Sequence, residues 1–518
     1  MCGSKLTYER RKPEQTLLYQ TVAGHLETFK AEREIEGRTV PKYIAEEFEN
    51  YLRCGILSYG FGRVQCPQCQ HEKLVAFSCK GRGFCPSCGA RRMAEASIYL
   101  TDELVPLVPV RQFVVTFPPP LRLWLARSNA LAGVVCGKIM DALTGHLRRE
   151  SDNPSGLAGA VVFVQRFGSG ANLNVHLHII AIDGTYAEKS TGRLKFCNAK
   201  APTEETTKRL AADIAKRINK HLVKKGFLEE HEDLMLVGNT EDLFAANADD
   251  LHLPAQAASA AHRIAFGENA GKPVRRLRSS QTLWPSEDDV EVSSTACINV
   301  GGYSVHAATA VKSDERDRLE KLVRYMARPA ISEERISILP NGDIKLKLKT
   351  PWRDGSEYLI FSPTEFLERL LALIPLPRFH LTRYYGVFAP ASPHRNKLPD
   401  RPQPQAENTG EESGSSDAND PHKSKLSVGK GKQRMGWAAL LKRTFEIDVL
   451  RCSSCSGRMK LVAMTVSGDA IRETLVGIGV SPRPPPIAPA KLRGLFAYDD
   501  FGDFPPERSE NTESFADW

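Results

Sequence analysis

The chain has 518 residues, of which 41% are hydrophobic and 25% charged, with a formal net charge of +8. These values are typical of a soluble globular protein of two or three domains, and the mild positive charge permits nucleic-acid binding without demonstrating it. No apolar run approaches the ~18–20 residues of a membrane span, and the first residues lack a signal-peptide core, so we expect a cytoplasmic protein.

Cysteines dominate the N-terminal region, which otherwise reads as helical over residues 13–58. Six of the twelve cysteines fall between Cys54 and Cys88, and without an export signal they indicate metal rather than disulfides. Two C-x-x-C pairs lie fifteen residues apart, Cys66 with Cys69 and Cys85 with Cys88. This spacing predicts a zinc ribbon with four thiolate ligands. Cys54, His71 and Cys79 are nearby substitutes for any one ligand, and the sequence does not choose among them.

Basic residues alternate with aromatic residues around these cysteines, with Phe77 and Phe84 among them. Such a pattern suits a nucleic-acid surface, because cations neutralise phosphates and rings stack on bases. A plain solvated rim is the alternative. The candidate DNA-binding residues here are Lys80, Arg82, Arg91 and Arg92.

The next elements are a strand over 111–117, a helical stretch from 121 to about 150, and a hairpin within 161–184. The second strand of the hairpin carries His176 and His178. Residues i and i+2 of a strand share a face, so the two imidazoles project together and form half of a divalent-metal site. The third ligand is either Gln165, on the first strand of the hairpin, or His306, on a later strand within 296–311.

An amphipathic helix over 204–225 and a polar stretch over 267–291, predicted to be a loop, separate the hairpin from a second helix at about 314–327. Tyr325 falls about 120° from the apolar stripe of that helix. It lies beside Arg318, Lys321 and Arg328. Nearby cations favour the phenolate and attract a polyanion, so Tyr325 is suited to attack on phosphate. A surface tyrosine packed on arginine side chains is the alternative.

The C-terminal third contains a hairpin turning at Asn341-Gly342, a capped helix to about residue 374 and a strand over 379–388. Residues 391–434 have the composition of a disordered linker. The tail has a short helix over 437–445 and one more C-x-x-C pair, Cys452 and Cys455. With no second pair nearby in the sequence, this pair is a weak indication of metal binding.

This order of elements predicts an α+β fold with a mainly antiparallel sheet. We divide the chain into a helical and zinc-binding domain (1–100), a catalytic domain (101–390), the linker (391–434) and a small C-terminal segment (435–518).

Several blocks taken together resemble a known family. They are CPQC, SCKGRGFCPSCGARRM, FVVTFPPPLR, VQRFGSGANLNVHLHIIAIDG, LEKLVRYMARP and LPRFHLTRYYGVFAPASPHR. Their order is similar to that of the rolling-circle transposases of the HUH superfamily, in particular the insertion-sequence ninety-one family with its N-terminal zinc-binding domain. The resemblance covers about residues 15–465. Some members have two tyrosines four residues apart, whereas Pro329 stands at the second position here, as in the single-tyrosine branch called common regions.

The resemblance implies an HUH-type sheet in which His176 and His178 bind Mg²⁺ or Mn²⁺ and Tyr325 cuts DNA. The implied activity is nicking and rejoining of single-stranded or hairpin DNA at the ends of a mobile element, through a 5′-phosphotyrosine, in the bacterial nucleoid. Zn²⁺ would be held in the N-terminal ribbon. A non-catalytic zinc-ribbon DNA-binding protein is the main alternative. A nucleotide hydrolase of the histidine-triad type has little support, because position 180 is Ile.

Overall fold

The computed structural model describes residues 10–231, 234–237, 251–278, 297–352, 354–399 and 437–491. The fold is α+β and its strand pairs are antiparallel, as predicted. The helices are α1 (Leu17–Ile35), α2 (Lys42–Arg53), α3 (Pro86–Ile98), α4 (Pro119–Arg127), α5 (Asn129–Glu150), α6 (Glu204–Lys224), α7 (His252–Ala260), α8 (Arg316–Met326), α9 (Pro363–Leu373), α10 (Trp437–Phe445) and α11 (Gly468–Gly477).

The strands follow the same chain order and are short, apart from the central hairpin. They are β1 (Phe61–Gln65), β2 (Glu72–Ala76), β3 (Val110–Thr116), β4 (Gly159–Phe167), β5 (Leu173–Ile182), β6 (Gly184–Glu188), β7 (Leu194–Asn198), β8 (Leu228–His231), β9 (Leu234–Val237), β10 (Arg275–Arg278), β11 (Cys297–Val300), β12 (Tyr303–His306), β13 (Ala310–Val311), β14 (Ile336–Ile338), β15 (Ile344–Lys347), β16 (Ser356–Phe361), β17 (Thr382–Gly386) and β18 (Lys460–Thr465).

The central sheet has the order β11-β12-β3-β5-β4-β17, with β13 also paired to β3. Alternation along the strands gives it two different faces. Leu177 and Val115 point to one face, where they join a core built with α4, α5 and α6. The neighbouring residues His176 and His178 point to the opposite face, which α8 covers. The sheet therefore separates a purely apolar layer from the layer that contains the candidate site.

A second sheet, in the order β10-β16-β15-β14, packs with α1, α7 and α9 around a separate core. It is joined to the central hairpin at the turn between β4 and β5. There the Trp352 indole nitrogen donates to the Ser169 hydroxyl at 3.0 Å, and Arg335 donates to the Ser169 carbonyl. These contacts bring the loop after β15 close to the face that carries the histidines.

The C-terminal segment packs on the N-terminal region. Strand β18 pairs with β1, which gives a small sheet in the order β18-β1-β2. Helix α10 buries Leu440 against Ala94 and Ile98 of α3. The two ends of the chain thus form one structural module in spite of their distance in sequence.

Three sequence predictions need correction. The helix expected over about 121–150 is broken at Ser128, whose hydroxyl accepts from the Leu131 amide at 3.1 Å and begins α5. Part of the expected loop over 267–291 is strand β10, which pairs with β16; residues 279–291 lie outside the described part. Residues 391–399, at the start of the expected linker, are folded, with Leu398 only 6% exposed. The rest of that linker, from residue 400, lies outside the described residues.

Helix α5 is long and apolar enough to cross a membrane by length and composition alone, with 56% of its most apolar window buried in the fold. It lies between the central sheet and α6, and it supplies Leu131, Val135, Ile139 and Leu143 to their common core. Such burial is typical of a helix in the core of a folded domain.

Candidate active site

The two histidines predicted to bind metal lie side by side on β5. Their ring centroids are 5.0 Å apart and the rings are inclined at 65°. His178 is buried, and His176 is half-buried. Both rings project from the same face of the sheet, as the i, i+2 spacing predicts.

Both imidazoles are held neutral and oriented. Burial, the nearby His176 ring and the cations Arg328 and Lys349 lower the pKa of His178 to about 3. Burial also lowers the pKa of His176. The Nδ1 atom of His176 lies 2.8 Å from the Asn174 carbonyl oxygen, and Nδ1 of His178 lies 2.9 Å from the Gln112 side-chain amide. Nδ1 of His176 donates to a carbonyl oxygen, so the lone pair on Nε2 of that ring is left for a metal ion. Nδ1 of His178 accepts from the Gln112 amide nitrogen, so this ring offers Nε2 to a metal ion when the Gln112 amide turns its oxygen towards Nδ1.

Tyr325 lies next to this pair. Its ring is perpendicular to that of His178, at 88°, with a centroid distance of 5.9 Å. Its side chain is 43% exposed, whereas Leu319, Val323 and Met326 on the same helix are buried, so the predicted position outside the apolar stripe is confirmed. The tyrosine is therefore reachable from solvent and close to the His178 imidazole.

Two cations pack against the faces of the Tyr325 ring. The Arg328 guanidinium carbon lies 4.4 Å from the ring centroid, and the Lys349 ammonium nitrogen lies 4.1 Å from it. Burial raises the pKa of Tyr325, but hydrogen bonding and charge from Arg328 and Lys349 outweigh it, so the pKa is lowered overall. The site thus favours the phenolate.

Helix α8 is fixed to the sheet at the turn that carries the tyrosine. Leu319, Val323 and Met326 pack into the core on the histidine face. The Gln165 side-chain amide donates to the Met326 carbonyl at 3.1 Å, one residue after the tyrosine. This hydrogen bond connects β4 directly to the C-terminal end of α8.

The two candidates for the third ligand are placed differently. Gln165 pairs with His176 across β4 and β5, so it is a direct neighbour on the same face, and its amide oxygen is the atom left for a cation. His306 is opposite Val114, which is in turn opposite His178. Two strand spacings separate His306 from His178, about 10 Å at the backbone. In the described part of the chain, two clusters of histidine, cysteine or carboxylate groups could hold a metal ion. Both consist of cysteines alone, and His306 belongs to neither.

The structure corrects the predicted grouping of Cys66, Cys69, Cys85 and Cys88 in one ribbon. Cys85 and Cys88 cluster with Cys54 and Cys79, whereas Cys66 and Cys69 cluster with the distant Cys452 and Cys455. The reason is the β1–β2 hairpin. Cys66 and Cys69 lie at its tip, whereas the cluster of Cys54, Cys79, Cys85 and Cys88 lies at its base. Five residues of strand, about 17 Å, separate the two ends.

The first cluster has the geometry of a four-thiolate metal site. Its sulfur atoms lie within 4.8 Å of one another, with Cys54 and Cys88 at 3.7 Å and Cys79 and Cys88 at 3.3 Å. Cys85 begins α3 and Cys54 follows α2, so the site joins two helices that share an apolar core. Four clustered cysteine sulfurs fit Zn²⁺.

The predicted DNA-binding cations fall into three groups. Arg328 lies in the site. A second group belongs to the zinc module. There Arg82 donates to the Phe379 carbonyl at 2.8 Å, and Arg92 donates to the Lys80 and Gly81 carbonyls. Arg91 of the same module forms an ion pair with Glu95 at 2.8 Å. On α8, Arg318 pairs with Glu315 at 3.0 Å and Lys321 is exposed. Lys349, rather than Arg318 or Lys321, is the second cation that contacts the tyrosine.

A cavity of about 340 Å³ opens beside the site. Its lining includes Gln165 and Arg328 of the candidate site and Arg82 and Arg92 of the zinc module. The Nη1 atom of Arg328 is buried and, within the described ranges, has no hydrogen-bond partner. The cavity therefore joins the candidate catalytic residues to the basic surface of the N-terminal module.

Sequence reasoning missed two residues of this site. Lys349 is one of three alternating lysines in the sequence, with Lys345 and Lys347, and this pattern does not single it out because its approach to Tyr325 depends on how the second sheet packs on the first. Gln112 was not singled out, although a lone amide in the apolar strand 111–117 is a signal of a buried hydrogen-bond partner.

Comparison with protein families gave two matches. The model described as a transposase zinc-binding domain matches residues 21–117, which contain the first cysteine cluster. The model described as a putative transposase matches residues 159–396, which contain the histidine pair and Tyr325. Neither a curated protein nor a solved structure matched the chain significantly.

The two matches, on the zinc module and on the sheet with its tyrosine helix, define the class of this protein as a DNA transposase. Together they take in more than half of the chain, in the order expected from the sequence blocks. The chain belongs to the insertion-sequence ninety-one family of transposases.

Proposed function

We propose that this transposase nicks and rejoins single-stranded DNA at the ends of a mobile element, with Tyr325 as the nucleophile of rolling-circle transposition. The observation that carries the proposal is the contact of the Tyr325 ring with the buried His178 ring, at a centroid distance of 5.9 Å, together with the two cations, Arg328 and Lys349, that lie over the Tyr325 ring. A phenol, two neutral imidazoles and a paired positive charge are the groups that attack on a phosphodiester needs.

The protein's own residues account for the nucleophile. Arg328 and Lys349 favour the phenolate and attract the scissile phosphate. The phenolate oxygen attacks phosphorus, the bond from phosphorus to the 3′ oxygen breaks, and that oxygen takes up a proton. The products are a 5′-phosphotyrosine and a free 3′-hydroxyl. Because the covalent link keeps the energy of the phosphodiester, rejoining needs no nucleotide cofactor.

The donor set on the sheet fits a divalent ion such as Mg²⁺ or Mn²⁺. His176 and His178 are neutral at physiological pH, and Nδ1 of each ring is engaged, which fixes the ring orientation. Gln165 is the third ligand in this proposal, since it is the direct neighbour of His176 and is held by the Met326 carbonyl. When bound, the ion supplies Lewis-acid polarisation of the scissile phosphate.

The cavity beside the site supports DNA as the substrate. Its cations, Arg82, Arg92 and Arg328, come from both the zinc module and the catalytic region. A strand that follows these charges would pass over the zinc module and deliver a phosphate to Tyr325. Such an enzyme works on DNA in the bacterial cytoplasm.

The test is covalent capture of DNA. Purified protein is incubated with single-stranded DNA of an element end, labelled on its 3′ side, with Mn²⁺ or with EDTA, and resolved on a denaturing gel. We expect a Mn²⁺-dependent protein–DNA adduct that Tyr325→Phe abolishes while DNA binding is retained. Tyr358→Phe is the matched control, because Tyr358 is also half-buried under a lysine, with the Lys345 nitrogen at 5.0 Å.

Two outcomes would contradict the proposal. An adduct that persists in Tyr325→Phe would assign the nucleophile elsewhere. DNA binding without any metal-dependent nicking would favour the non-catalytic zinc-ribbon protein.

A further inference from the structure

The second cysteine cluster joins the two ends of the chain. Cys66 and Cys69 lie in the turn between β1 and β2, and Cys452 and Cys455 lie in a turn shortly before β18. Strands β1 and β18 pair with each other, so the two turns lie at the same end of one small sheet. The family match to a zinc-binding domain ends at residue 117 and does not include the second pair.

The two turns have the same backbone structure. The Gln70 amide donates to the Cys66 carbonyl at 2.9 Å, and the Ser456 amide donates to the Cys452 carbonyl at 3.0 Å. Gln70 and Ser456 both adopt a left-handed conformation, with φ of 59° and 60°. This strained backbone is uncommon for residues other than glycine, and it occurs at the residue directly after the second cysteine of one pair and at the corresponding residue of the other.

The two C-x-x-C turns share a second backbone hydrogen bond. The Cys66 amide donates to the His71 carbonyl and the Cys452 amide donates to the Gly457 carbonyl, each at 2.9 Å. Two matching C-x-x-C turns that face each other at the end of a three-stranded sheet are the arrangement of a zinc ribbon. The ribbon is thus present, but its second turn comes from the C-terminal segment.

The sulfur distances favour a metal over disulfides. Cys66 and Cys455 lie 3.4 Å apart and Cys69 and Cys452 lie 3.5 Å apart, with all four sulfurs within 4.8 Å of one another. A disulfide needs about 2.05 Å. Four thiolates on Zn²⁺ at about 2.3 Å give sulfur–sulfur edges of about 3.8 Å.

We propose that Cys66, Cys69, Cys452 and Cys455 bind a second structural Zn²⁺ that fastens the C-terminal segment to the N-terminal module. This site is separate from the cluster of Cys54, Cys79, Cys85 and Cys88, and it does not depend on the proposed function. The chain therefore carries two four-cysteine zinc sites, one local in sequence and one formed only after the C-terminal segment has been made.

The small sheet has only a slight core of its own. Around the cysteines that core contains Val64 and Met459, whereas Leu461, Val462 and Met464 of β18 are at least half exposed. A second small cluster packs Ile471 and Leu475 of α11 against Phe61 of β1. Because apolar burial in this module is limited to such small clusters, metal binding adds to its folding free energy.

The fastened segment also reaches the tyrosine helix. Arg443 of α10 forms an ion pair with Asp102 and lies 3.6 Å from Glu320 of α8. Loss of the ion would therefore loosen a contact five residues before Tyr325.

The experiment counts zinc in the full-length chain purified under reducing conditions, by mass spectrometry of the metal. His176→Ala is included in every sample so that the imidazole pair does not contribute zinc. We expect two zinc ions per chain, and one in the double variant Cys452→Ser with Cys455→Ser. Cys297→Ser, which removes an exposed cysteine outside both clusters, should keep two.

A second double variant, Cys66→Ser with Cys69→Ser, should lose the same single ion, and limited proteolysis of either double variant should cut within residues 437–491 faster than in the parent. The zinc count of the parent chain, which carries only His176→Ala, does not depend on the folding of any double variant. One zinc in the parent chain, or two in the Cys452 and Cys455 double variant, would overturn the proposal. So would an intact mass showing that the four thiols have been oxidised to disulfides.

Discussion

Lys349→Met tests whether the cations around Tyr325 act on its phenol. The Lys349 nitrogen lies 4.1 Å from the ring centroid, and the ring is 43% exposed, so the cation–π interaction is weakened by solvent. Such a pair contributes about 0.5–1 kcal/mol, and it favours the phenolate over the phenol. Loss of the Lys349 cation should therefore slow adduct formation about two- to fivefold at neutral pH, because a free-energy change of 1.36 kcal/mol corresponds to a factor of ten in rate. Arg328 remains, so activity should not be abolished.

The assay is single-turnover adduct formation at saturating DNA and fixed salt, measured across alkaline and neutral pH. Removing the cation raises the pKa of Tyr325, so the rising limb of the pH–rate profile should move to higher pH. Lys345→Met is the matched control: it removes the same charge from the same basic surface, but Lys345 contacts Tyr358. Equal slowing by both substitutions, or an unshifted profile in Lys349→Met, would refute a direct action on the nucleophile.

Three further predictions concern the scaffold and the metal ligands. Arg111→Ala leaves the buried Asp183 carboxylate without its bidentate partner and should lower the free energy of unfolding, measured by urea titration, by about 3–5 kcal/mol. The control Arg209→Ala removes an exposed ion pair with Glu205 and should lower it by less than about 0.5 kcal/mol; an equally small loss in Arg111→Ala would contradict the prediction. Gln165→Ala should weaken Mn²⁺ binding, measured by calorimetry, at least about tenfold, and His306→Ala should leave it unchanged; the reverse would make the histidine the third ligand. Because the folded-state pKa of His178 is about 3, below its unfolded value of about 6.5, metal-free protein should lose stability as pH falls from about 6.5 towards 3, and a His178→Phe variant that loses as much would exclude this histidine as a cause.

The local elements of the site could be predicted because each follows from short-range periodicity. The i, i+2 spacing of His176 and His178 determines their common face in any strand. The position of Tyr325 outside the apolar stripe follows from helical periodicity and was observed as 43% exposure. The turn at Asn341-Gly342 and the capping box at Ser362 also formed where the sequence placed them.

What could not be predicted depends on contacts between distant segments. Cys452 has no neighbouring C-x-x-C pair in the sequence, and only the pairing of β18 with β1 brings it to Cys69. Lys349 reaches Tyr325 because a second sheet packs over the first, a relationship that no local pattern encodes. The grouping of Cys66 with Cys85 was wrong for the same reason, since spacing alone does not show on which end of a hairpin a cysteine lies.

Mapping the covalent link between protein and DNA decides whether Tyr325 is the nucleophile. The adduct formed with Mn²⁺ is trimmed with nuclease, digested with protease and sequenced by mass spectrometry. We expect a nucleotide attached through its 5′ phosphate to the peptide that contains Tyr325. Attachment to a peptide carrying Tyr303, Tyr358 or Tyr384 instead, or a label linked through a 3′ phosphate, would contradict it.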